Sequence, residues 1–131
     1  MNTRSESYPS PLYQYTVGVS FPDEDTCERW IEWMYYVHVE EVLAAGAISC
    51  EVVRIEGKSV QLEARYLFES IEAFERYELN EAPRLRAEGL EQFPPETGIS
   101  YRRSRGEVIF SAFRDGEEDD DILPPGSTAE A

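Results

Sequence analysis

The sequence has few basic residues and no long apolar run. Only 12 of its 131 residues are Lys or Arg, against 27 Asp or Glu, which gives a formal net charge of -15. Because phosphate contacts require clustered cations, this excess of acid argues against binding to nucleic acid. No apolar stretch approaches the roughly 20 residues that cross a bilayer, and the first residues, MNTRSESYPSPLY, lack the apolar segment of a signal peptide. We therefore expect neither a nucleic-acid partner nor a membrane partner.

Cysteine and histidine are equally scarce. Cys27 and Cys50 are too few for a disulfide framework and fit a reducing compartment, so we expect the protein to be cytoplasmic. One histidine and two distant cysteines offer no ligand spacing for zinc, and no metal site is expected. The sequence also lacks a Gly-rich phosphate loop, a nucleophile elbow and a Cys-x-x-Cys motif. We predict no cofactor.

The composition and length of the chain predict one folded domain followed by an acidic tail. Hydrophobic residues make up 41% and aromatic residues 12% of the chain, enough for a packed core. Residues 115–131 hold seven acids and no base, and their only bulky apolar side chains are Ile122 and Leu123. This tail is predicted to be disordered, and it is either a solubilising segment or a docking peptide centred on those two residues. Residues 1–11 are predicted to be a flexible N-terminus, which leaves residues 12–114 as a single domain.

The first half of that domain reads as a strand followed by a helix. Residues 12–21 alternate between apolar and polar side chains, which predicts a half-buried strand. Asp25, with Glu28 three residues later, predicts a helix start, and Gly46 predicts its end. The inner face of this helix is predicted to consist of apolar and aromatic positions: Cys27, Trp30, Ile31, Trp33, Met34, Val37 and His38.

The second half predicts two strands, a helix broken by proline and a last strand. The strands span residues 47–55 and 58–68 around a tight turn at Glu56-Gly57, and Ser70 caps the next helix. Pro83 should break that helix, and a short helix with Leu85 and Leu90 inward should stop near Gly89. The last strand is predicted over residues 98–112, with an interruption at Gly106. The order βαββαβ predicts an α+β, ferredoxin-like domain with a four-stranded antiparallel sheet and both helices on one face.

Residues 13–110 carry a resemblance to a known family. The pattern Trp30-x-x-Trp33-Met34, followed by His38 and later by Ala82-Pro83-x-Leu85-Arg86, resembles the bacterial domain-of-unknown-function family 4286. Glu40 and Ala45 depart from the family pattern, which typically has proline and threonine there. The resemblance implies a fold of the dimeric α+β barrel type and brings no established activity.

Four aromatic or imidazole side chains and one arginine are the candidate pocket residues: His38, Trp30, Trp33, Tyr66 and Arg102. His38 is a candidate proton-transfer group or ligand contact, or else a hydrogen-bonded structural histidine near a helix end. The aromatic residues either line a cavity between helices and sheet or fill the core; this applies to Trp30 and Trp33 together with Tyr13, Tyr15, Tyr66 and Tyr101. Cys27 is expected to be buried and inert.

The arginines of the predicted strands, including Arg102, have two interpretations as a group. They form either a positive patch for an anionic ligand or cross-strand pairs with Glu51, Glu63 and Glu107. These arginines are Arg54, Arg65, Arg102, Arg103 and Arg105.

Two functions compete. The first is a homodimeric binding or structural module for a small apolar or anionic ligand or for a protein partner. The second is a small-molecule enzyme of the dimeric α+β barrel type, using a pocket near His38; only analogy of fold supports it. The dimer is expected to form through the sheet face that carries no helices, where Leu12, Val53, Ile55 and Leu67 are apolar. There Arg65 and Arg102 are expected to pair with Glu51 and Glu63 of a second copy.

Overall fold

A computed structural model describes residues 11–114 of the 131-residue chain. The strands are β1 (Tyr13–Phe21), β2 (Ser49–Ile55), β3 (Val60–Phe68) and β4 (Ser100–Glu107), and the helices are α1 (Glu24–Trp33), α2 (Val39–Ala44), α3 (Ile71–Asn80) and α4 (Ala82–Gln92). A π-helical turn, Met34–His38, joins α1 to α2, and a 3-10 turn, Pro95–Thr97, precedes β4. The predicted acidic tail, residues 115–131, and nearly all of the predicted flexible N-terminus lie outside the described residues.

The four strands form one antiparallel sheet in the order β2-β3-β1-β4. Val17 in the centre of β1 pairs with Ala64 of β3 on one side and with Arg103 of β4 on the other. The two central strands supply most of the buried sheet residues, and the helices cover the same face. This arrangement confirms the predicted α+β, ferredoxin-like fold with its helices on one face of the sheet. We call the other side the open face.

Side-chain caps set where two of the helices begin. The Asp23 carboxylate accepts a hydrogen bond from the backbone N–H of Thr26 at 2.8 Å, and Ser70 Oγ accepts one from Ala73 N–H at 3.1 Å. Ser70 was predicted as a cap and this is confirmed. Asp25 is not the cap of α1, because the helix begins at Glu24; Asp25 lies in the first turn, where a negative charge is favoured by the helix dipole.

A π turn interrupts the predicted single helix between β1 and β2. Val39 N–H donates to the carbonyl of Met34, five residues back. In a regular α-helix Val42, eight residues after Met34, would lie about 80° away from it around the axis, since one turn takes 3.6 residues. The wider turn absorbs about one residue and brings Val42 back to the core, where it is buried together with Met34.

Pro83 separates the last two helices, as predicted. α3 ends at Asn80 and α4 begins at Ala82, with Pro83 in its first turn, where the missing N–H is not needed. The predicted stop near Gly89 is wrong, because α4 runs on to Gln92. Its end is fixed by the buried Phe93, whose N–H donates to the Gly89 carbonyl at 2.8 Å. Leu90, predicted to be inward, is 53% exposed.

The last strand is shorter than predicted and is not interrupted. Gly106 pairs with Gln14 inside β4, and the strand ends at Glu107 rather than at residue 112. Val108 N–H still donates to the Leu12 carbonyl at 2.8 Å. Beyond it, Ile109 and Phe110 are more than four-fifths exposed, at 83% and 82%. No helix within residues 11–114 is long and apolar enough to cross a membrane.

Candidate functional site

A cavity of about 330 Å³ lies between the helices and the sheet. Its floor is made by side chains of the three strands β1, β3 and β4: Tyr15, Val17, Ala64, Tyr66, Tyr101 and Arg103. Its first wall comes from α1 and the π turn: Trp30, Trp33, Met34 and His38. Its second wall comes from α3 and α4: Tyr77, Leu85, Arg86, Gly89 and Leu90. The space between helices and sheet is therefore hollow rather than filled.

The cavity opens between α4 and β4. The lining residues that are exposed to solvent are Arg86, Leu90 and Arg103, whereas those on β1, β3 and α1 are buried or half-buried. Gly89 leaves room at the wall, since a Cβ there would only reach ordinary contact with the Trp33 ring, at 3.4 Å. The site is thus an apolar chamber with two arginines at its mouth.

Stacked aromatic rings hold the inner wall. Trp30 packs edge-on against Phe21 with ring centroids 5.5 Å apart. Trp33 stacks on the His38 imidazole at 4.6 Å and 21° and meets Phe93 edge-on at 5.7 Å. Because each ring is held by another ring, the wall is preorganised.

Two ring nitrogens in this wall are buried without a hydrogen-bond partner among residues 11–114. They are Trp30 Nε1 and His38 Nδ1. The Tyr101 hydroxyl lies near enough to Trp30 for the indole to lower its pKa, against a larger rise caused by burial, but the two groups make no hydrogen bond of normal geometry. Buried polar groups are nearly always paired, so both nitrogens mark places where a ligand or water would gain a bond.

His38 is neutral at neutral pH. Burial lowers the pKa of its imidazole from 6.5 to about 4, and the nearby Glu88 carboxylate opposes this only in part. The histidine lies at the end of the π turn, and the helical segment continues to Ala44. The interpretation as a hydrogen-bonded histidine closing the helix end is therefore wrong: Nδ1 has no such bond in the described part of the chain.

Two tyrosines of the cavity, Tyr66 and Tyr77, are also neutral. Burial raises the pKa of Tyr66 well above its ordinary value and that of Tyr77 to about 12. The Tyr15 hydroxyl accepts hydrogen bonds from Arg103 Nε at 3.1 Å and from Arg86 at 3.3 Å. It ties the two arginines of the mouth together.

The two arginines of the mouth differ in their other partners. Arg86 also binds the Glu78 carboxylate at 2.7 Å. Arg103 lies over the Tyr101 ring at 5.4 Å and has no carboxylate within ion-pair distance in the described residues. Arg103 is thus the cation of the mouth whose charge no carboxylate among residues 11–114 balances.

The structure brings four of the five predicted pocket residues together and leaves one out. Trp30, Trp33, His38 and Tyr66 all line the cavity. Arg102 does not, because alternate side chains of a strand point to opposite faces. It lies on the open face, where it donates to Ser20 Oγ at 3.0 Å.

Arg102 also lies against a glycine. A Cβ on Gly18 would come within 2.6 Å of the Arg102 guanidinium, which lies directly over that position. The arginine that reaches the cavity is the next residue, Arg103. Sequence reasoning placed Arg103 only among the strand arginines and missed Arg86, whereas Tyr15 and Tyr101 were named as possible cavity residues and do line it. The alternation of β4 around Tyr101 was the available signal for Arg103.

The strand arginines do not form one patch. Arg65 pairs with Glu51 of β2 at 3.7 Å on the open face, as the cross-strand interpretation predicted, but its shorter ion pair, at 2.8 Å, is with Glu63 of its own strand. Arg54 instead binds Glu24 of α1 at 3.2 Å. Arg105 lies over the Phe74 ring at 5.4 Å and makes no pair with Glu107.

The cysteines lie apart from the cavity. Both are free; burial raises the pKa of Cys27 and that of Cys50 to about 12, which disfavours the reactive thiolate. Within residues 11–114, no three His, Cys, Asp or Glu side chains come together as metal ligands.

Solved structures share this ferredoxin-like fold. A dimeric ferredoxin-like protein from an uncultured marine organism is similar with a TM-score of 0.62 and 16% identity, over 79% of this chain and 99% of that one. A second dimeric ferredoxin-like protein from an uncultured marine organism gives 0.57 and 17%, over 79% and 100%. A Bacillus cereus protein provisionally named an antibiotic biosynthesis monooxygenase gives 0.58 and 17%, over 80% and 100%. At these identities the likeness shows the fold alone.

Comparison of the sequence with protein families shows to which family the chain belongs. The profile of the family "Domain of unknown function (DUF4286)" matches residues 11–102, and the chain belongs to that family. The match spans the candidate pocket from Tyr15 to Tyr101 and confirms the resemblance carried by the Trp30-x-x-Trp33-Met34 pattern. No curated protein matches the chain.

Proposed function

We propose that this protein is a homodimeric module that binds a small, largely apolar ligand with an anionic group. The hollow between helices and sheet carries this proposal. A volume of about 330 Å³ lies at the lower end of the range for small-molecule sites, and protein interiors otherwise pack without such gaps. Two cysteines that form no disulfide fit a reducing compartment such as the cytoplasm.

The polar groups of the cavity support a ligand rather than an empty packing defect. A purely apolar void contains no polar group that lacks a hydrogen bond. This cavity has two unpartnered ring nitrogens in its wall and the unbalanced Arg103 at its mouth. A few convergent polar groups in an apolar chamber are typical of ligand sites.

The dimeric assembly is supported by two features of the surface. Val53, Ile55 and Leu67 are half-buried on the open face, which a second copy would cover. Ile109 and Phe110 extend beyond β4 with most of their area exposed, and exposed apolar groups next to a sheet favour protein contacts. The two marine proteins of the same fold are described as dimeric. In the alternative form of the proposal, a different protein, rather than a second copy of this chain, covers these apolar groups.

Catalysis is the second candidate, and His38 is the observation that favours it. Its imidazole faces an apolar cavity with Nδ1 unbonded, the setting of a group that moves a proton. Against it, a pKa of about 4 makes His38 a weak base at neutral pH, since general bases work best with a pKa near the working pH. The Bacillus cereus protein named as a monooxygenase adds an analogy of fold only.

The cavity proposal is tested by filling the cavity. Gly89→Phe places a ring in the space beside Trp33, whereas Ala87→Phe places the same ring on the exposed side of α4. Binding is measured by quenching of tryptophan fluorescence with a panel of small aromatic and aliphatic acids, because Trp30 and Trp33 both line the site.

We expect at least one acid to quench the intact protein and Ala87→Phe alike, and to lose its effect on Gly89→Phe. Equal quenching of both variants would place binding outside the cavity and contradict the proposal. If the same acid is also converted to a product, and His38→Phe stops the conversion without stopping binding, catalysis is the better account.

A further inference from the structure

We infer that the cavity takes an aromatic carboxylate with a second hydrogen-bond acceptor, a hydroxyl or carbonyl oxygen, at the far end of its ring system. This inference rests on the proposed function and specifies its ligand. Three features of the site carry it: the aromatic walls, the unbalanced Arg103, and the buried indole N–H of Trp30.

The walls favour a flat, aromatic body. Tyr15 and Tyr66 lie nearly parallel on the floor, with centroids 5.9 Å apart, and Trp33 stacks on His38 at 4.6 Å in the wall. Flat faces of this kind gain the most from offset or edge contacts with another ring. The volume of about 330 Å³ suits one or two fused rings.

Arg103 favours a carboxylate at the mouth. A guanidinium has five N–H donors, and one of those on Arg103 is used by the Tyr15 hydroxyl. The others have no carboxylate partner within residues 11–114, in contrast to Arg86, which Glu78 neutralises at 2.7 Å. A ligand carboxylate is the group that such a planar, forked cation binds best.

Trp30 favours an acceptor at the inner end. The side chain is 3% exposed, and its Nε1 is a donor only that is left without a hydrogen bond in the described residues. A buried donor of this kind gains from an acceptor atom and gains nothing from a methyl group or a second N–H. An oxygen substituent on the ligand meets that need.

The backbone positions nearest to the two polar groups are close enough for one molecule to reach both. Tyr101, the neighbour of the Trp30 indole, and Arg103 are two residues apart on the same face of β4, which is about 6.8 Å along a strand. This is about the length of a ring that carries substituents at opposite ends. A rigid aromatic acid can therefore reach both positions without losing rotational freedom.

The test compares three probes by titration calorimetry: 6-hydroxy-2-naphthoate, 2-naphthoate, which lacks the inner oxygen, and 6-(hydroxymethyl)-2-naphthol, which lacks the charge. We expect the hydroxynaphthoate to bind most tightly. Arg103→Gln should weaken it at least about tenfold, the factor for one charged hydrogen bond, and leave the neutral naphthol unchanged. Arg105→Gln, a change on the same strand and face, is the control and should alter neither.

Trp30→Phe keeps an aromatic ring in the core and removes only the N–H. It should weaken 6-hydroxy-2-naphthoate several-fold and leave 2-naphthoate unchanged. If Arg103→Gln weakens the acid and the neutral naphthol equally, or if Trp30→Phe weakens both acids equally, the inference is overturned.

The outcome separates the ligand class from the proposed function. Failure of 6-hydroxy-2-naphthoate to bind at millimolar concentration overturns the inference on its own. The proposed function then still holds if another probe binds the intact protein and Gly89→Phe abolishes that binding, and it fails with the inference if no probe depends on the cavity.

Discussion

His38 is kept without its proton by the same burial that forms the cavity wall. Burial withdraws the water that its charged form would need, and the charge of the nearby Glu88 carboxylate is too weak an influence to reverse this. A neutral imidazole can both accept and donate a hydrogen bond. The residue therefore suits recognition of a polar group better than attraction of a charge.

This state of His38 predicts that acid destabilises the fold. The pKa is about 4 in the folded chain against an ordinary 6.5, so the unfolded chain binds a proton first as the pH falls. The stabilising contribution is complete above pH 6.5 and is lost between pH 6.5 and 4, with a total of about 3 kcal/mol for this shift. His38→Phe keeps a ring against Trp33 and removes the titration.

The measurement is the free energy of unfolding in urea at pH values from 7.5 to 4. The difference between the intact protein and His38→Phe should shrink or reverse by that amount over this window and stay constant above it. Proximity to the Glu88 carboxylate raises the pKa of Glu41, and the titration of Glu41 acts on stability in the opposite direction. Glu41→Gln is therefore the control, and a constant difference in both backgrounds would contradict a neutral, buried His38.

At the level of single residues, the sequence indicated which types of residue form the site better than it indicated which face of a strand each side chain occupies. Trp30, Trp33 and His38 could be found because helical spacing places them on one face with buried residues. Arg102 was chosen in place of Arg103 because both are arginines in a short, polar strand. The alternation of β4 places Arg103 on the same face as Tyr101, and the pairing of Arg103 with Val17 shows that this face lies toward the helices. The pairing register is a property of two strands and is not visible in β4 alone.

The helical elements show where local signals suffice and where they fail. Ser70 and Pro83 act through their own backbone and side chains, so the start of α3 and the break before α4 were predictable. The π turn was not, because it arises from a conflict between segments: Trp30 and Met34 on one side and Val42 on the other must all reach one core. The end of α4 likewise depends on burial of Phe93, which no local pattern announces.

The π turn predicts an unusual tolerance of a deletion. Removing Tyr36, an exposed residue of the turn, allows one continuous α-helix in which Val42 keeps its place in the core, since one residue turns a helix by about 100°. We expect this variant to fold with a thermal midpoint within a few degrees of the intact protein. The readouts are circular dichroism and thermal unfolding.

A matched deletion should behave differently. Glu75 is an exposed residue of α3 between the buried Phe74 and Tyr77, and α3 has no π turn to absorb the change. Its deletion should rotate Tyr77 out of the core and unfold the domain, at the scale of about 3–5 kcal/mol for losing a large core side chain. Equal damage from both deletions would mean that the π turn itself is required for stability.

For the molecule as a whole, the net charge opposes formation of a dimer, whereas the apolar residues of the open face favour it. Each chain carries -15, so two chains repel at low salt, although charges farther apart than about 8 Å are largely screened at physiological ionic strength. The open face offers Val53, Ile55 and Leu67, and Ile109 and Phe110 add exposed apolar area beyond β4. A two-fold contact would cover these groups in both copies at once.

Arg65 is the residue through which this assembly is best tested. It was expected to pair with Glu51 and Glu63 of a second copy, but it binds both of these carboxylates within its own chain. Part of the charge on the open face is therefore neutralised within one chain before any contact forms, which lowers the charge that a dimer has to bury. Arg65→Glu removes this neutralisation and gathers three carboxylates at one point of the face.

We expect light scattering at micromolar concentration and physiological salt to give about twice 15.0 kDa for the intact protein, and Arg65→Glu to shift it toward the single-chain mass. Loss of exposed ion pairs alone costs about 0–1 kcal/mol, so the variant should still fold. Arg84→Glu is the matched control, because Arg84 also binds two carboxylates of its own chain, Glu81 and Glu88, but lies on α4 away from the open face. A shift to monomer by Arg84→Glu as well would indicate a general effect of charge, and a single-chain mass for the intact protein would exclude the dimer under these conditions.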